Sequence, residues 1–219
     1  MNSIKAFIFD LDGVIVDTAK YHFLAWQKLA QELGIHFTHE HNEQLKGVSR
    51  IRSLDIILEL GGIQASQEEK EVWLHQKNKD YLSYLVHVDE SEILPGVAHV
   101  LHYIKQHKQK IVLGSASKNA KPILEKTGII DMFDAIVDGN DVSKAKPDPE
   151  VFLLGAQRVG IAPNDCIVFE DAFAGIQAAN RAGMKSIGIG DAQILHEAMY
   201  VFPDFTHMEL SFINHLINS

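Results

Sequence analysis

The segment Phe7-Ile8-Phe9-Asp10-Leu11-Asp12-Gly13-Val14 decides the fold of this chain. Its apolar start is typical of a buried strand, and it stops at two aspartates spaced two residues apart. Because such residues point to the same side of an extended chain, the two carboxylates project together, and Gly13 lets the chain turn away at once. Neighbouring carboxylates are unfavourable unless a cation lies between them or one binds a proton. The pattern predicts a metal-assisted nucleophile beside a general acid/base, the alternative being a strand that ends in a solvated turn.

Composition excludes several classes of protein. The 219 residues are 46% hydrophobic and 22% charged, which is typical of a globular chain. A net charge of −9 without a basic stripe argues against a nucleic-acid partner. No apolar stretch is long enough to span a bilayer, and the N-terminus lacks a signal-peptide pattern. The single cysteine, Cys166, is expected to be a small buried hydrophobe. We therefore expect a cytoplasmic monomer without membrane or nucleic-acid partners.

Apolar runs alternate with helical stretches in the C-terminal two-thirds of the chain. Continuous rather than alternating apolar runs indicate parallel strands covered on both faces. The predicted strands follow Phe7–Phe9 at 110–115, 135–137, 166–169 and 186–190. The predicted helices lie at about 96–107, 119–127, 149–159 and 172–182. This alternation predicts an α/β fold, a doubly wound parallel sheet whose ligands bind outside the carboxyl ends of the strands.

Residues 17–92 have a different character. They contain no convincing strand, and amphipathic helices are predicted at about 18–33, 50–60 and 66–86. We expect a small all-helical cap domain over 17–92, inserted after the first strand of a Rossmann-like core formed by 1–16 and 93–219.

Three further strand ends carry polar groups that suit phosphate chemistry. Ser115 can donate to a phosphoryl oxygen or cap a helix. Lys146, held before Pro147, can place a compact charge against a phosphate, and Lys144 is the competing lysine. Glu170 and Asp171 end an apolar strand and can add oxygen ligands for Mg2+.

The motif F-D-L-D-G-V resembles the first motif of the haloacid dehalogenase (HAD) superfamily, whose members form an aspartyl-phosphate on the first aspartate. Within that superfamily, the chain resembles the β-phosphoglucomutase family over essentially its whole length. The segments that carry this resemblance are F-D-L-D-G-V-I-V-D-T-A-x-Y-H-F, L-K-G-V-S-R, S-A-S-K-N, the K-P at 146–147 and E-D-A-x-A-G-I-Q-A. The family interconverts β-D-glucose 1-phosphate and glucose 6-phosphate through β-glucose 1,6-bisphosphate.

The resemblance implies a role for each matching residue. Asp10 is the nucleophile and Asp12 the general acid/base, and Mg2+ is held by Asp10, the backbone carbonyl of Asp12, Glu170 and Asp171. The transferring phosphoryl group is bound by Ser115, Ala116 and Lys146. The distal phosphate is bound by Arg50 with Ser49. Positions that line or close the site are Thr18, His22, Trp26, Lys46, Gly47, Val48, Ser53, Lys77, Lys118 and Asn119.

Several alternatives stand beside this interpretation. Ser49 and Arg50 are equally well explained as a helix cap followed by an exposed arginine, and His22 and Lys77 as ordinary cap-helix residues. A small sugar-phosphate phosphatase would share every core residue, so the fold alone does not settle the function. A catalytically silent sugar-phosphate sensor is a third possibility, but it would need no nucleophile at Asp10.

Overall fold

The computed structural model describes residues 4–219, so residues 1–3 of the expected core lie outside it. Within that range, six parallel strands form one sheet in the order β3-β2-β1-β4-β5-β6. The strands are β1 Ala6–Phe9, β2 Lys110–Gly114, β3 Ala135–Val137, β4 Cys166–Glu170, β5 Lys185–Ile189 and β6 Tyr200–Phe202. The doubly wound α/β prediction is confirmed, and β1 lies between β2 and β4 at the point where strand order reverses.

Both faces of the sheet are covered, as the continuous apolar runs predict. Phe7 and Phe9 pack into one apolar cluster, whereas Ile8 packs into the cluster on the opposite face. The helices that supply these clusters are α5 Val97–Gln106, α6 Ala120–Lys126, α7 Glu150–Val159, α8 Phe173–Arg181 and α9 Leu210–Asn218. Cys166 is fully buried in β4, and burial raises its thiol pKa to about 12, so the expectation of a buried hydrophobe is confirmed.

Between β1 and α5 the structure is helical. The helices are α1 Ala19–Glu32, α2 His39–Glu43, α3 Arg50–Gly61 and α4 Gln67–Tyr84. They have their own apolar cluster, which includes Trp26, Leu29, Leu54 and Ile57. No helix within residues 4–219 has the length and apolarity needed to cross a membrane.

The chain leaves the sheet layer near Val16 and re-enters it near Ile93, and these two connecting segments lie side by side. Val16 and Ile93 form an antiparallel bridge, Asp17 N–H donates to Glu92 O at 2.8 Å, and Leu94 N–H donates to Ile15 O at 3.0 Å. The two connections between the sheet and the helical segment are therefore hydrogen-bonded to each other.

Candidate active site

The candidate site lies at the carboxyl ends of β1 and β4. Phe9 and Phe169 are register partners on adjacent strands. Asp10 follows Phe9 and Glu170 follows Phe169, so the two acids lie side by side. Gly13 has a φ of +81°, and a Cβ atom there would overlap with the carboxylate of Asp171. Glycine therefore serves both the tight turn after Asp12 and the close approach of an acid from β4.

A cleft of about 460 Å3 opens above these strand ends, a volume in the range of small-ligand sites. Most of the predicted site residues line it, from the strand ends and from the helical segment alike. They are Asp10, Asp12, His22, Trp26, Lys46, Gly47, Val48, Ser49, Arg50, Ser53, Lys77, Ser115, Ala116, Lys118 and Asp171. Thr18, Asn119, Lys146 and Glu170 do not line the cleft but lie behind its walls.

Lys146 joins two carboxylates below the floor of the cleft. Its Nζ atom lies 2.6 Å from Asp10 Oδ1 and 2.6 Å from Glu170 Oε1, and its side chain is 1% exposed. These contacts raise the pKa of the lysine against the opposing effect of burial. Lys144, the competing candidate, is exposed and faces Asp148 at 3.6 Å, so Lys146 and not Lys144 is the lysine that lies beside Asp10.

Asp12 has a raised pKa and polar partners from the helical segment. Burial, and then the charge of Asp10, raise its pKa to about 6. The hydroxyl of Thr18 donates to Asp12 Oδ1, and Nε2 of His22 lies 3.9 Å from Asp12 Oδ2. A carboxyl group with such a pKa can both give and take a proton near neutral pH.

Ser115 is not a helix cap, because the residue preceding α6 is Asn119. Its hydroxyl oxygen instead accepts from Ser117 N–H at 3.0 Å, and this bond holds the hydroxyl at the end of β2 beside the cleft. Its hydroxyl hydrogen can be donated to a ligand.

Acidic charge exceeds basic charge at these strand ends. The pKa of Asp171 is raised well above its ordinary value by burial, then by Glu170 and Asp10, and the nearest cation, Lys46 Nζ, is 3.9 Å away. A bound cation would relieve this repulsion.

The carboxylates at these strand ends suit Mg2+, with two of them available as ligands. Within residues 4–219 no three His, Cys, Asp or Glu side chains converge into a metal cluster. Glu170 accepts from Lys146 at Oε1 and from Ala172 N–H at Oε2, at 2.8 Å, so both its oxygens already have partners. Mg2+ needs only one or two carboxylates besides waters and substrate oxygens, and Asp10 with Asp171 can supply these. Glu170 as a ligand stays a prediction.

The helical segment supplies the opposite wall. Ser49 precedes α3, and its side chain accepts from Arg52 N–H at 3.2 Å, so the helix start that L-K-G-V-S-R predicts is confirmed. Arg50 lines the cleft, and partial burial lowers its pKa. A helix start and an arginine on one wall can bind an anionic group.

Two polar residues outside the predicted set hold segments that border this cleft. Asn78, on α4, accepts from Asn119 Nδ2 at 3.3 Å and so joins the helical segment to the loop after β2. Glu150, at the start of α7, accepts from the backbone of the loop that carries Lys146. Neither belongs to a local pattern, although a glutamate just after K-P-D-P is a visible helix-start signal.

Comparison with known proteins supports one family. Residues 4–183 match the family model of haloacid dehalogenase-like hydrolases. The chain is 46% identical over 192 residues to a β-phosphoglucomutase of Bacillus subtilis, covering 87% of this chain and 85% of that protein. It is 32% identical over 203 residues to a phosphorylated carbohydrates phosphatase of Thermotoga maritima, covering 89% and 91%. A crystal structure of β-phosphoglucomutase from Clostridium difficile has a TM-score of 0.94 and 44% identity, covering 99% and 98%. This chain therefore belongs to the haloacid dehalogenase-like hydrolases.

Proposed function

We propose that this chain is a Mg2+-dependent β-phosphoglucomutase that interconverts β-D-glucose 1-phosphate and glucose 6-phosphate. The observation that carries the proposal is that one cleft contains Asp10 and Asp12 on the strand ends and Ser49 and Arg50 on the facing helix. A mutase must bind one phosphate for reaction and a second one at a distance. Sequence identities of 46% and 44% to two β-phosphoglucomutases support the same assignment.

In this mechanism Asp10 attacks the phosphoryl group and becomes an aspartyl-phosphate. The ammonium of Lys146, 2.6 Å from Asp10 Oδ1, reduces repulsion between the carboxylate and the anionic phosphoryl oxygens. Ser115 and the backbone of Ala116 hold those oxygens in line. Bound Mg2+ would supply further charge neutralisation at the phosphoryl oxygens, with Asp10 and Asp171 as its side-chain ligands.

Asp12 gives a proton to the leaving sugar oxygen and later takes one from the sugar hydroxyl that attacks the phosphoenzyme. Its pKa of about 6 suits both directions, and Thr18 orients the carboxyl group. The intermediate, β-glucose 1,6-bisphosphate, then reorients so that its other phosphate faces Asp10. Arg50 and Ser49 hold the phosphate that is not being transferred.

We also propose the division into a cap over 17–92 and a core over 1–16 and 93–219. The separate apolar cluster of the helical segment and the paired connections at Val16 and Ile93 support these bounds. Closure of the cap would exclude water from the phosphoenzyme. We also propose a monomeric active form: the residues to which the mechanism assigns roles all belong to one chain, so the mechanism needs no second subunit.

One coupled assay tests the proposal. Glucose 6-phosphate is followed from β- and from α-glucose 1-phosphate, with glucose 1,6-bisphosphate as primer, while free phosphate is measured in parallel. We expect primer-dependent formation of glucose 6-phosphate from the β anomer and little free phosphate.

A sugar-phosphate phosphatase is the second candidate, because relatives at 32% and 36% identity are phosphatases of phosphorylated carbohydrates and of fructose 1-phosphate. Release of free phosphate at the rate of substrate loss would favour it. Absence of any phosphoenzyme on Asp10 would reject both enzymes in favour of a sensor.

A further inference from the structure

The segment 138–149 connects β3 to α7 and carries Lys146. The Lys146 side chain is 1% exposed and is fixed at its tip by Asp10 and Glu170, so its reach depends on where the loop backbone lies. A displacement of that backbone by about 1 Å would remove the ammonium from contact with Asp10, and displacements of this size can lower catalysis by about 100-fold.

A single carboxylate holds the backbone that precedes Lys146. Glu150 Oε2 accepts from Ser143 N–H at 3.0 Å and from Lys144 N–H at 2.6 Å. The Ser143 hydroxyl lies 3.1 Å and 3.2 Å from the two Glu150 oxygens. The pKa of Glu150 is below its ordinary value because these backbone N–H groups favour its charged form.

Glu150 is itself anchored on a rigid element. It is the first residue of α7, and its N–H donates to Asp148 Oδ1 at 3.0 Å. Phe152, two residues further along α7, is fully buried in the core, and its ring centroid lies 4.8 Å from Lys146 Nζ. The Glu150 carboxylate therefore connects the loop that carries Lys146 to helix α7, which is packed into the core.

The other side of Lys146 is held independently. Nη1 of Arg181, on α8, donates to Pro147 O at 3.0 Å. Lys146 thus lies between two backbone N–H groups bound by Glu150, those of Ser143 and Lys144, and the carbonyl of Pro147 bound by Arg181. Further upstream, Arg158 binds Asp141 at 2.7 Å, so Glu150 is the side chain that binds the backbone of Ser143 and Lys144 between these two anchors.

We propose that Glu150 is a positioning residue for Lys146, acting through the backbone N–H groups of Ser143 and Lys144. It touches neither substrate nor Asp10 and fixes the distance between the ammonium and the reacting carboxylate. The inference rests on the proposed role of Lys146 in phosphoryl transfer.

The test follows transfer of phosphate from acetyl phosphate to the enzyme in Mg2+, a reaction that needs no second phosphate site. We compare Glu150→Ala and Glu150→Gln with wild type and Lys146→Ala. Glu209→Ala is the matched control, because Glu209 also lies at the start of a helix and accepts from a serine hydroxyl, Ser211, at 3.0 Å, away from the cleft. The fraction of folded protein is verified for each variant by circular dichroism.

We expect Glu150→Ala to lower the maximal phosphorylation rate about tenfold, with the half-saturating acetyl phosphate concentration changed less than about twofold. Glu150→Gln keeps an acceptor oxygen and should recover to within about threefold of wild type. Glu209→Ala should match wild type. The double variant Lys146→Ala/Glu150→Ala should be no slower than Lys146→Ala, because Glu150 acts only through the lysine.

Two outcomes would overturn the inference while leaving the proposed function intact. One is a Glu150→Ala rate equal to that of Glu209→Ala. The other is a double variant whose losses multiply, since this would indicate a general effect on the fold. If Lys146→Ala itself reacted like wild type, the role of Lys146 in the proposed function would be rejected together with this inference.

Discussion

Nζ of Lys77 lies 2.9 Å from Nδ1 of His22, at a place where Lys77 is 1% exposed. Trp26 and Tyr81 cover the ammonium, with ring centroids 4.5 Å and 5.0 Å from Nζ. With Lys77 charged, Nζ donates to Nδ1 and the histidine proton is on Nε2, the atom that faces Asp12 at 3.9 Å. The pair therefore connects a cap helix to the proposed general acid/base through one histidine tautomer.

This contact makes stability depend on pH. Burial, and then the charges of Lys77 and Arg50, lower the pKa of His22 well below its ordinary value. The folded protein thus resists a proton that the unfolded chain accepts below about pH 6.5. Above that pH, His22 is neutral in both states and does not reduce the free energy of unfolding. Below it, the free energy of unfolding falls by up to about 1.4 kcal/mol per pH unit, because only the unfolded chain gains the proton.

Urea unfolding of wild type and of His22→Gln between about pH 5 and 8 measures this effect. Asp12 titrates in the same range with the opposite sign, so the difference between the two proteins, rather than the wild-type curve, isolates His22. We expect the free energy of unfolding to fall less steeply with decreasing pH in His22→Gln. Parallel curves would contradict the assignment of a neutral His22.

Asp10→Asn should abolish turnover without unfolding the protein, because the change is nearly isosteric and removes only the nucleophilic charge. Lys146 keeps its second partner, Glu170, at 2.6 Å, so the buried ammonium stays paired. Radioactive phosphate from acetyl phosphate should label wild type and not the variant. Asp131→Asn, in an exposed turn, is the control. Label on another residue would make the mechanism wrong.

Asp12→Asn should slow phosphorylation of Asp10 by a sugar phosphate and transfer back to a sugar by about 100- to 10,000-fold each. Both steps use one group in opposite directions, so both should also lose an ionisation near pH 6. Mg2+ affinity should change little, because the Asp12 side chain is bonded to Thr18. Lost Mg2+ affinity with normal phosphorylation would reverse the assignment.

Asp171→Asn should raise the thermal midpoint of the metal-free protein, since it removes one charge from a group of buried carboxylates. Mg2+ should raise the midpoint of wild type by binding the folded state and should do so far less in the variant. Chelation should silence wild type, with Ca2+ a poor substitute because it relaxes octahedral geometry. An undiminished Mg2+ shift in Asp171→Asn would place the metal elsewhere.

Arg50→Ala should lower mutase turnover while leaving hydrolysis of acetyl phosphate nearly unchanged. The lost charge-assisted contact with a distal phosphate is on the order of 1.5–3 kcal/mol. Arg52→Ala is the matched control on the same helix, because Arg52 is exposed and pairs with Glu59 at 2.7 Å. An equal loss of both activities in Arg50→Ala would make Arg50 a structural residue and favour a phosphatase.

Local patterns predicted most of the secondary structure. The apolar runs before Asp10, Ser115 and Glu170 are strands β1, β2 and β4, because a strand buried on both faces carries no polar interruptions. Strand β6 was missed, since it has only three residues and lies at the edge of the sheet, where Tyr200 is exposed and the other two are half-buried. Helix α9 was also missed, although Ile213, Leu216 and Ile217 bury one face at helical spacing.

The residue types of the site were readable from the chain, since Asp10 and the acid pair at 170–171 each follow an apolar run, and K-P lies in the polar loop after a shorter one. Their partners were not. The contact between Lys146 and Glu170 joins residues 24 positions apart, and that between Asn119 and Asn78 joins residues 41 positions apart. A short motif holds information about its own burial and turn but none about what lies across a cleft.

The sequence by itself determined which segments are buried strands, where each ends and which acids and lysine follow them, because burial and turn formation depend on neighbours along the chain. Tertiary structure alone decided that β1 lies between β2 and β4, that both oxygens of Glu170 are bonded, and that Glu150 holds the loop before Lys146. Strand order and side-chain partners result from packing distant segments around a common core, where many pairings satisfy the same local pattern and only one fills the space.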